Sequence, residues 1–534
     1  MNPRSSPDPG AAEAPGSALI SVYDRTGVVS LARALAERGI AIYATGGTRA
    51  HLRDHGVEAH DVGELTGYPS LFDGRVKTLH PNVFGGILKD RSNPVHLEEA
   101  RAHGIPTIAT VVANLYPFEA TVANEGATLQ EAIEQIDIGG VSLLRAAAKN
   151  FDHVTVLSDP AQYDTFVAAL GRGGLDHATR RTYATRAFER TAEYDSAISR
   201  YLESGLLSAD LPGSLALTIP IEQPLRYGEN PQDRAAFYLA REAQLPEQLG
   251  GKALSYNNLL DLDATLRLLV RAPLGFAGDD APYARPHLAR AAIVKHTVPC
   301  GVAERPSVAD AVRCALEADP VSAYGGIIAV DGRVDAATAE QLAGFFLEIV
   351  AAPAFDDDAL ARLRKKKNLR IMRFRSGAPE RIAAELRVRS ALGGVLAEDD
   401  DPQAPPERWT VVSKRPPTAE EWRDLVFAWD VVRHVKSNGV VIVRDGTSRG
   451  ICAGQTNRVS AVKIAAHRAD AFVAGAACAS DGFFPFADGL DAAADAGCTA
   501  VIAPQGSIRD AEVIAAADAR GIALVFSTYR YFLH

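Results

Sequence analysis

Residues 17–48 read SALISVYDRTGVVSLARALAERGIAIYATGGT, and this pattern decides the fold class. SALISV is an apolar run of strand length. VVSLARALAERG (28–39) spaces its apolar residues at helical intervals and stops on Gly39. IAIYAT (40–45) is a second apolar run, closed by the Gly46–Gly47 turn. Strand, helix and strand in that order make a βαβ unit, which calls for a parallel sheet covered by helices.

The alternation continues outward. TIATVVANL (107–115) and HVTVLS (153–158) read as further strands, and a Pro-bounded stretch without clean periodicity, LPGSLALTIPIEQP (211–224), reads as a linker. Beyond it come AAIVKH (291–296), GIIAV (326–330), GVVIV (439–443), TAVIA (499–503) and IALVF (522–526). PLGFAGDDAPYARPH (273–287) and EDDDPQAPPERW (398–409) read as solvated excursions, and RLRKKK (362–367) as an exposed helix face. No internal repeat of fixed period is visible. A chain of 534 residues is expected to form two to four folding units. The expected division is a disordered tail over 1–17, an α/β domain over 18–215 and a second α/β region over 216–534.

A net charge of −10 argues against a nucleic-acid binder but not against small anionic ligands, which a few local cations can hold. Five cysteines without a C-x-x-C pair fit a reducing cytoplasm. Residues 1–17 are rich in Pro, Ser and Ala and lack an apolar signal core, and no run is long and apolar enough to span a membrane.

Two constellations carry chemistry. In the first, SVYDRTG (21–27) and TGGT (45–48) each follow a strand and precede a helix. Ser21, Thr26 and Gly27 could present hydroxyl and N–H groups to an anion at the first, and Gly46 and Gly47 let the backbone approach a phosphate at the second, with Thr48 capping its helix, although either loop alone is a common structural turn. RVKTLHP (75–81) sets Arg75 and Lys77 on one side of a buried-type Val76 at strand spacing, beside Thr78, an arrangement suited to a phosphate or oxyanion. NLYPF (114–118) puts Asn114 and Tyr116 at a strand end. QIDIGG (135–140) places Asp137 before Gly139–Gly140, as a proton carrier or a helix cap. Arg145 and Lys149 then share a helix face, either a solvated stripe or part of a site.

In the second, LRYGENPQ (225–232) offers Arg226 and Tyr227, and SYNNLLDLDA (255–264) offers Asn257, Asn258 and Asp261 at a helix start. VKHTVPCG (294–301) sets Lys295 and His296 side by side at a strand end. The histidine is either a base or a satisfied structural residue. Gly325 follows Tyr324, Asn438 precedes a strand, and Arg458 lies in a polar segment. DGFFPFADGLD (481–491) reads as an aromatic platform for a flat ring, and YRYFLH (529–534) closes the chain with Arg530 and His534.

SVYDRTG, TGGT, RVKTLHP, NLYPF and QIDIGGVSLLRAAAKN, in this order, resemble the IMP cyclohydrolase half of the bifunctional purine-biosynthesis enzymes, a half similar in fold to methylglyoxal synthase. The later motifs resemble, in order, the AICAR transformylase half, and together the two cover nearly all of the chain from residue 18. The resemblance implies a methylglyoxal-synthase-like parallel-sheet domain followed by two cytidine-deaminase-like α/β subdomains. It implies formyl transfer from 10-formyltetrahydrofolate to AICAR, then ring closure of the product, FAICAR, to IMP, with no metal in the chemistry and a homodimer.

The resemblance also implies residue roles. Ser21, Thr45, Gly47, Thr48, Arg75, Thr78, Asn114, Gly139 and Gly140 bind the nucleotide of the first site, and Lys77, Tyr116, Asp137 and Lys149 carry its chemistry. Arg226, Tyr227, Asn258, Gly325, Glu348, Arg458, Arg530 and His534 surround the nucleotide of the second, where Lys295, His296 and Asn438 act. Phe483, Phe484, Pro485, Asp488, Gln505 and Gly506 lie near the folate. Arg25 stands where many members carry Lys, and Val298 where many carry Asn or Ser; position 298 is expected to support its loop.

Three rival readings are weaker. A zinc deaminase needs a P-C-x-x-C segment that is missing beside the single H-x-E at His96 and Glu98. A dinucleotide-binding dehydrogenase needs G-x-G-x-x-G, which TGGT is not. A ligand-sensing module without turnover does not call for Lys77, Tyr116, Asp137 and Lys149 together.

Overall fold

The computed structural model describes residues 16–69, 71–72, 76–124, 126–204, 211, 214–216, 218–240, 243–271, 288–399 and 408–534. The tail up to residue 15, Arg75, the 273–287 excursion and most of the acidic stretch after residue 399 lie outside the described residues. The chain divides into two compact units, one running to Pro220 and taking in Ala240–Ala243, the other formed by Ile221–Leu239 and Gln244–His534.

The first unit is built on a five-stranded parallel sheet. Its strands are β1 (Ser17–Ser21), β2 (Ile42–Ala44), β3 (His60–Asp61), β4 (Ile108–Ala113) and β5 (Thr155–Leu157), in the order β3-β2-β1-β4-β5. Helix α1 (Val28–Ala36) crosses from β1 to β2 and buries Val28, Leu31, Ala32 and Leu35, the stripe read in the sequence. Helix α2 (Gly46–Asp54) follows β2. Helix α3 (Gly139–Lys149) packs Leu143, Leu144, Ala147 and Ala148 into the core, and α4 (His177–Ser204) lies along it. Because β1 passes to β2 on one side and pairs with β4 on the other, the strand order reverses at the β1/β4 edge, where open α/β sheets bind ligands.

The second unit holds a twelve-stranded mixed sheet. Its strands are β6 (Glu247–Gly250), β7 (Ala289–Lys295), β8 (Val298–Arg305), β9 (Ile327–Val330), β10 (Ile349–Ala352), β11 (Arg370–Arg373), β12 (Trp409–Val411), β13 (Val440–Arg444), β14 (Thr447–Cys452), β15 (Ala477–Ser480), β16 (Ala500–Pro504) and β17 (Ala523–Ser527). The order is β12-β17-β16-β15-β13-β14-β8-β7-β9-β10-β11-β6. Read outward from the central β8/β14 contact, both halves run the same way. Each has a hairpin, an antiparallel neighbour, two more parallel strands and an antiparallel edge strand. Helix α5 (Tyr256–Arg267) precedes the first hairpin and α6 (Val308–Ala318) follows it; α7 (Ala419–Val432) and α8 (Arg458–Ala469) do the same for the second. The topology is duplicated without a residue repeat of fixed period, in keeping with the two similar subdomains that the resemblance implies.

The halves join antiparallel through Ala303 and Thr447. A buried ion cluster ties them as well. The guanidinium of Arg290, on β7, reaches Glu304 on β8 at 2.7 Å and Asp430 on α7 at 2.6 Å, and donates to the Leu268 carbonyl at 3.0 Å. Arg290 is 1% exposed, so its charge is held by these partners and by the Phe427 ring beneath it, not by water.

Two local readings change. Helix Asp357–Leu363 ends inside the RLRKKK run, and Lys366 turns back to donate to the carbonyls of Phe345 at 2.6 Å and Leu342 at 3.5 Å. That lysine closes a helix end and is no solvated stripe; burial lowers its pKa. Val76 makes an isolated bridge to Leu71 and is exposed, so it is not the buried residue of a strand.

Candidate active sites in the two units

In the first unit, loops converge on the β1/β4 edge. The amide oxygen of Asn114, just past β4, accepts the N–H groups of Tyr23 at 2.7 Å and Asp24 at 3.0 Å, and its nitrogen donates to the Asp24 carbonyl at 2.8 Å. Its side chain thus shapes the SVYDRTG loop. Thr45, not Thr48, is the N-cap of α2. The Thr48 hydroxyl exchanges hydrogen bonds with the Val22 backbone, accepting at 3.2 Å and donating at 3.1 Å, and is buried, so the expected cap is a brace between the two loops. The Thr45 hydroxyl donates to Ser21 Oγ at 3.2 Å, and the Arg25 guanidinium lies over Gly47, 3.1 Å from where a Cβ would stand. Two hydroxyls and a cation therefore face the open N–H groups of α2, a setting for a phosphate.

The reactive end lies at the start of α3. Asp137 Oδ1 accepts the Gly140 N–H at 2.7 Å. Its carboxyl is raised above the usual range by burial, against the N–H groups of Gly140 and Tyr116 and the charge of Lys77. The Tyr116 phenol is raised too, by burial and by the Asp137 charge. The hydroxyl of Thr78, 4% exposed, stands 3.0 Å from a Cβ placed on Gly139. The Asp137 segment is propped from behind by Tyr194 of α4, whose hydroxyl accepts the Asp137 N–H at 2.9 Å and donates to the Gln135 carbonyl at 2.5 Å. Lys77, Thr78, Tyr116, Asp137, Gly139 and Gly140 are thus brought together. Lys149 is not: it closes the same helix ten residues beyond Gly139, about 15 Å away at 1.5 Å per residue. It instead lines an open groove of about 660 Å³ with Arg145, Phe84, Phe151, Arg181 and Phe188.

In the second unit, one edge of the large sheet collects the expected residues in two groups. The first centres on the β7–β8 turn. His296 and Thr297 form its two-residue loop with φ of 56° and 59°, a region that costs L-residues about 1–2 kcal/mol each. Val298 pairs with Lys295 across that turn, a supporting position as expected. Lys295 Nζ donates to the Tyr324 carbonyl at 2.8 Å, beside Gly325, whose φ is +79°. Asn258 closes a capping box with Ser255 at the start of α5. Asn257 ties the Arg226–Tyr227 loop in place by donating to the Glu229 carbonyl at 3.2 Å, while the Arg226 guanidinium covers the Tyr227 ring. Glu348 is paired with Arg370 at 2.6 Å.

The second group surrounds Asn438. The Asn438 side chain donates to the Gln455 carbonyl at 2.7 Å, and the C-terminal segment pairs back through Ser437 N–H to Leu533 O at 2.9 Å. A recess of about 330 Å³ is lined by Asn438, Arg458, Phe483, Pro485, Phe486, Asp488 and Phe532. Arg458 is already committed to Asp481 and the Gly439 carbonyl, so it fixes the Asn438 turn more than it offers a free cation. Phe484 is 2% exposed and packs beneath Gly489, a core residue and not part of the ring platform. Phe486 of the same aromatic stretch and Phe532 of the C-terminal YRYFLH take its place in the recess. Gln505 and Gly506 form a separate turn held by Asp510, and Arg530 stacks on Phe532. The C-terminal His534 carbonyl accepts from Arg389 at 3.1 Å. Both groups share one edge because the β8/β14 junction is antiparallel: Val298, Cys452 and Val440 line up across it. From β7 to β13 is three strand spacings, about 14 Å.

Comparison with known proteins gives the family. Residues 147–468 match the family described as AICARFT/IMPCHase bienzyme, and residues 27–142 match the MGS-like domain. The chain is 48% identical to the bifunctional purine biosynthesis protein PurH of Prochlorococcus marinus (strain MIT 9303), over 97% of this chain and 99% of that protein. It is 47% identical to PurH of Myxococcus xanthus (strain DK1622), over 97% of this chain and 100% of that one. The solved structure described as the crystal structure of ForH is 36% identical, covering 35% of this chain and 98% of its own, with a TM-score of 0.32. The chain belongs to the AICARFT/IMPCHase family of bifunctional purine-biosynthesis enzymes, formyltransferases that are also IMP cyclohydrolases.

Proposed function

We propose that the two reactions are divided between the two units: ring closure of FAICAR at the start of α3, and formyl transfer from 10-formyltetrahydrofolate to AICAR along the sheet edge of the second unit. The boundaries we assign are residues 18–215 and 216–534. The observation that carries this reading is that each unit holds its own set of cations and proton carriers at a sheet edge.

Ring closure joins the carboxamide nitrogen to the formyl carbon and then expels water. Lys77 stabilises the oxyanion that forms. Asp137, kept basic by its raised pKa, accepts the nitrogen proton, and Tyr116 orients the carboxamide. Ser21, Thr45, Gly47, Arg25, Thr78 and Arg75 hold the ribose phosphate. The 15 Å separation leaves Lys149 outside this reading. Intramolecular attack inherits most of its rate from proximity, up to about 7–11 kcal/mol.

Formyl transfer needs a base, because the ring amine is conjugated and weakly nucleophilic. His296 removes the amine proton as nitrogen attacks the formyl carbon; the tetrahedral intermediate then collapses, the bond from the formyl carbon to the folate nitrogen breaks, and that nitrogen leaves with the proton His296 took up. Lys295 stabilises the oxyanion and Asn438 orients the formyl oxygen. The folate ring stacks in the recess of Phe483, Pro485 and Phe486. Within one chain Asn438 stands about 14 Å from the Lys295 strand, which supports a homodimer in which one chain's His296 group meets its partner's Asn438 group. Five free thiols suit a cytoplasmic setting.

The test is direct. Purified chain given AICAR and 10-formyltetrahydrofolate should form IMP with no other enzyme, and residues 1–215 alone should convert FAICAR to IMP. A folded fragment without cyclohydrolase activity rejects the division.

A further inference from the structure

The two halves of the second unit close their central hairpins with the same backbone turn and hold it in the same way. Lys295 pairs with Val298, leaving His296 and Thr297 as the loop; Arg444 pairs with Thr447, leaving Asp445 and Gly446. The four φ angles are 56°, 59°, 52° and 61°. This is the mirror-image turn whose twist matches two-residue hairpins. In each half one helical aspartate clamps both loop N–H groups. Asp261 of α5 accepts those of His296 at 3.2 Å and Thr297 at 2.6 Å. Asp424 of α7 accepts those of Asp445 and Gly446, each at 2.8 Å.

The loops differ in what their own residues want. Asp-Gly is the pair such a turn selects, since glycine enters the left-handed region freely. His-Thr is a poor choice, and a β-branched threonine is strained there. The second turn would form without its clamp, whereas the first depends on it. We propose that Asp261 is a positioning residue for formyl transfer: its carboxylate holds the His296–Thr297 turn in the one backbone state that projects Lys295 and His296 side by side from the sheet edge. The proposal rests on the assignment of Lys295 and His296 to that reaction. Asp424 is a built-in control, the same clamp on the opposite edge of the sheet with no reacting group beside it.

The experiment uses the full chain and reads kcat, KM for AICAR and the melting temperature. Asp261→Ala should lower kcat for formyl transfer by about tenfold or more, as expected when reacting groups shift by about an ångström, with KM within about threefold. Adding Thr297→Gly should return at least about fivefold of that loss, because glycine keeps the turn unaided. Asp424→Ala should leave kcat within about threefold, since Asp-Gly holds its turn. A merely structural role for Asp261 would not be relieved by a glycine two bonds from the histidine. If Asp261→Ala does not fold, Asp261→Asn, which keeps one oxygen for the Thr297 N–H, carries the same test. His296→Ala separates the two assignments. If it retains formyl transfer, the role of His296 falls. If it is inactive while Asp261→Ala keeps its kcat, or if Thr297→Gly rescues nothing, the role of Asp261 falls alone.

Discussion

Asp137 and Gly140 are fitted to each other: Asp137 Oδ1 takes the Gly140 N–H at 2.7 Å, and a side chain on Gly140 would collide with Asp137 Oδ2. A methyl group at 140 must push the carboxylate away from the start of α3. Gly140→Ala should therefore cut cyclohydrolase activity by about 10²-fold, the cost of misplacing a reacting group by about an ångström. Formyl transfer should be unchanged. Assaying each step with its own substrate checks this, and an Ala variant with normal ring closure would remove Asp137 from the chemistry.

The raised carboxyl of Asp137 has an opposite effect on stability. Its folded pKa exceeds its unfolded value, so the folded state is favoured by protonation at low pH. That advantage is lost as pH rises from the unfolded value through the folded one, and at neutral pH the buried charge is a burden. Asp137→Asn should melt higher than the parent at neutral pH while losing ring closure, and the gain should shrink as pH falls towards 4 or so. Ring closure by the parent should decline in acid as Asp137 takes up its proton. A lower melting point for the Asn variant at neutral pH would mean that the Gly140 and Tyr116 N–H groups outweigh burial.

Lys77→Ala should slow ring closure by about 10²–10³, the usual effect of deleting an oxyanion donor. The readout is accumulation of FAICAR when AICAR and formyl donor are supplied together. Equal loss of both activities would point to a general defect in folding.

Formyl transfer should depend on chain concentration and ring closure should not. Dilution below the dimer dissociation constant should lower formyl transfer per chain, because it parts His296 of one copy from Asn438 of the other, while the Asp137 site lies within one unit. Full formyl transfer by a chain that light scattering finds monomeric would reject the shared site.

The strands and the α1 stripe were legible in the sequence because apolar period and Gly punctuation are local signals. The duplication in the second unit came only through the family resemblance, as two similar subdomains, since strand order is a property of pairing and leaves no residue repeat of fixed period. Thr48 was misread as a helix cap because a hydroxyl beside a glycine turn has the same sequence signature whether it caps a helix or braces a neighbouring loop, and here it faces Val22. Phe484 differs from Phe483 and Phe486 only in which side of the turn it leaves. The distance of Lys149 from Asp137 was available from helix rise alone, whereas Phe532 reaches its recess by a return of the C-terminus that no local pattern announces.

Arg290, Glu304 and Asp430 also constrain heredity. Removing one member of a buried ion cluster costs about 3–5 kcal/mol, while replacing the whole set can be neutral. Arg290 and Glu304 lie in the first half and Asp430 in the second, so no single substitution can leave the cluster without passing through a damaged intermediate. A chimera spliced between residues 331 and 419 folds well only if both parents carry the same charge at all three positions. The seam between the halves is therefore exchangeable only as one block.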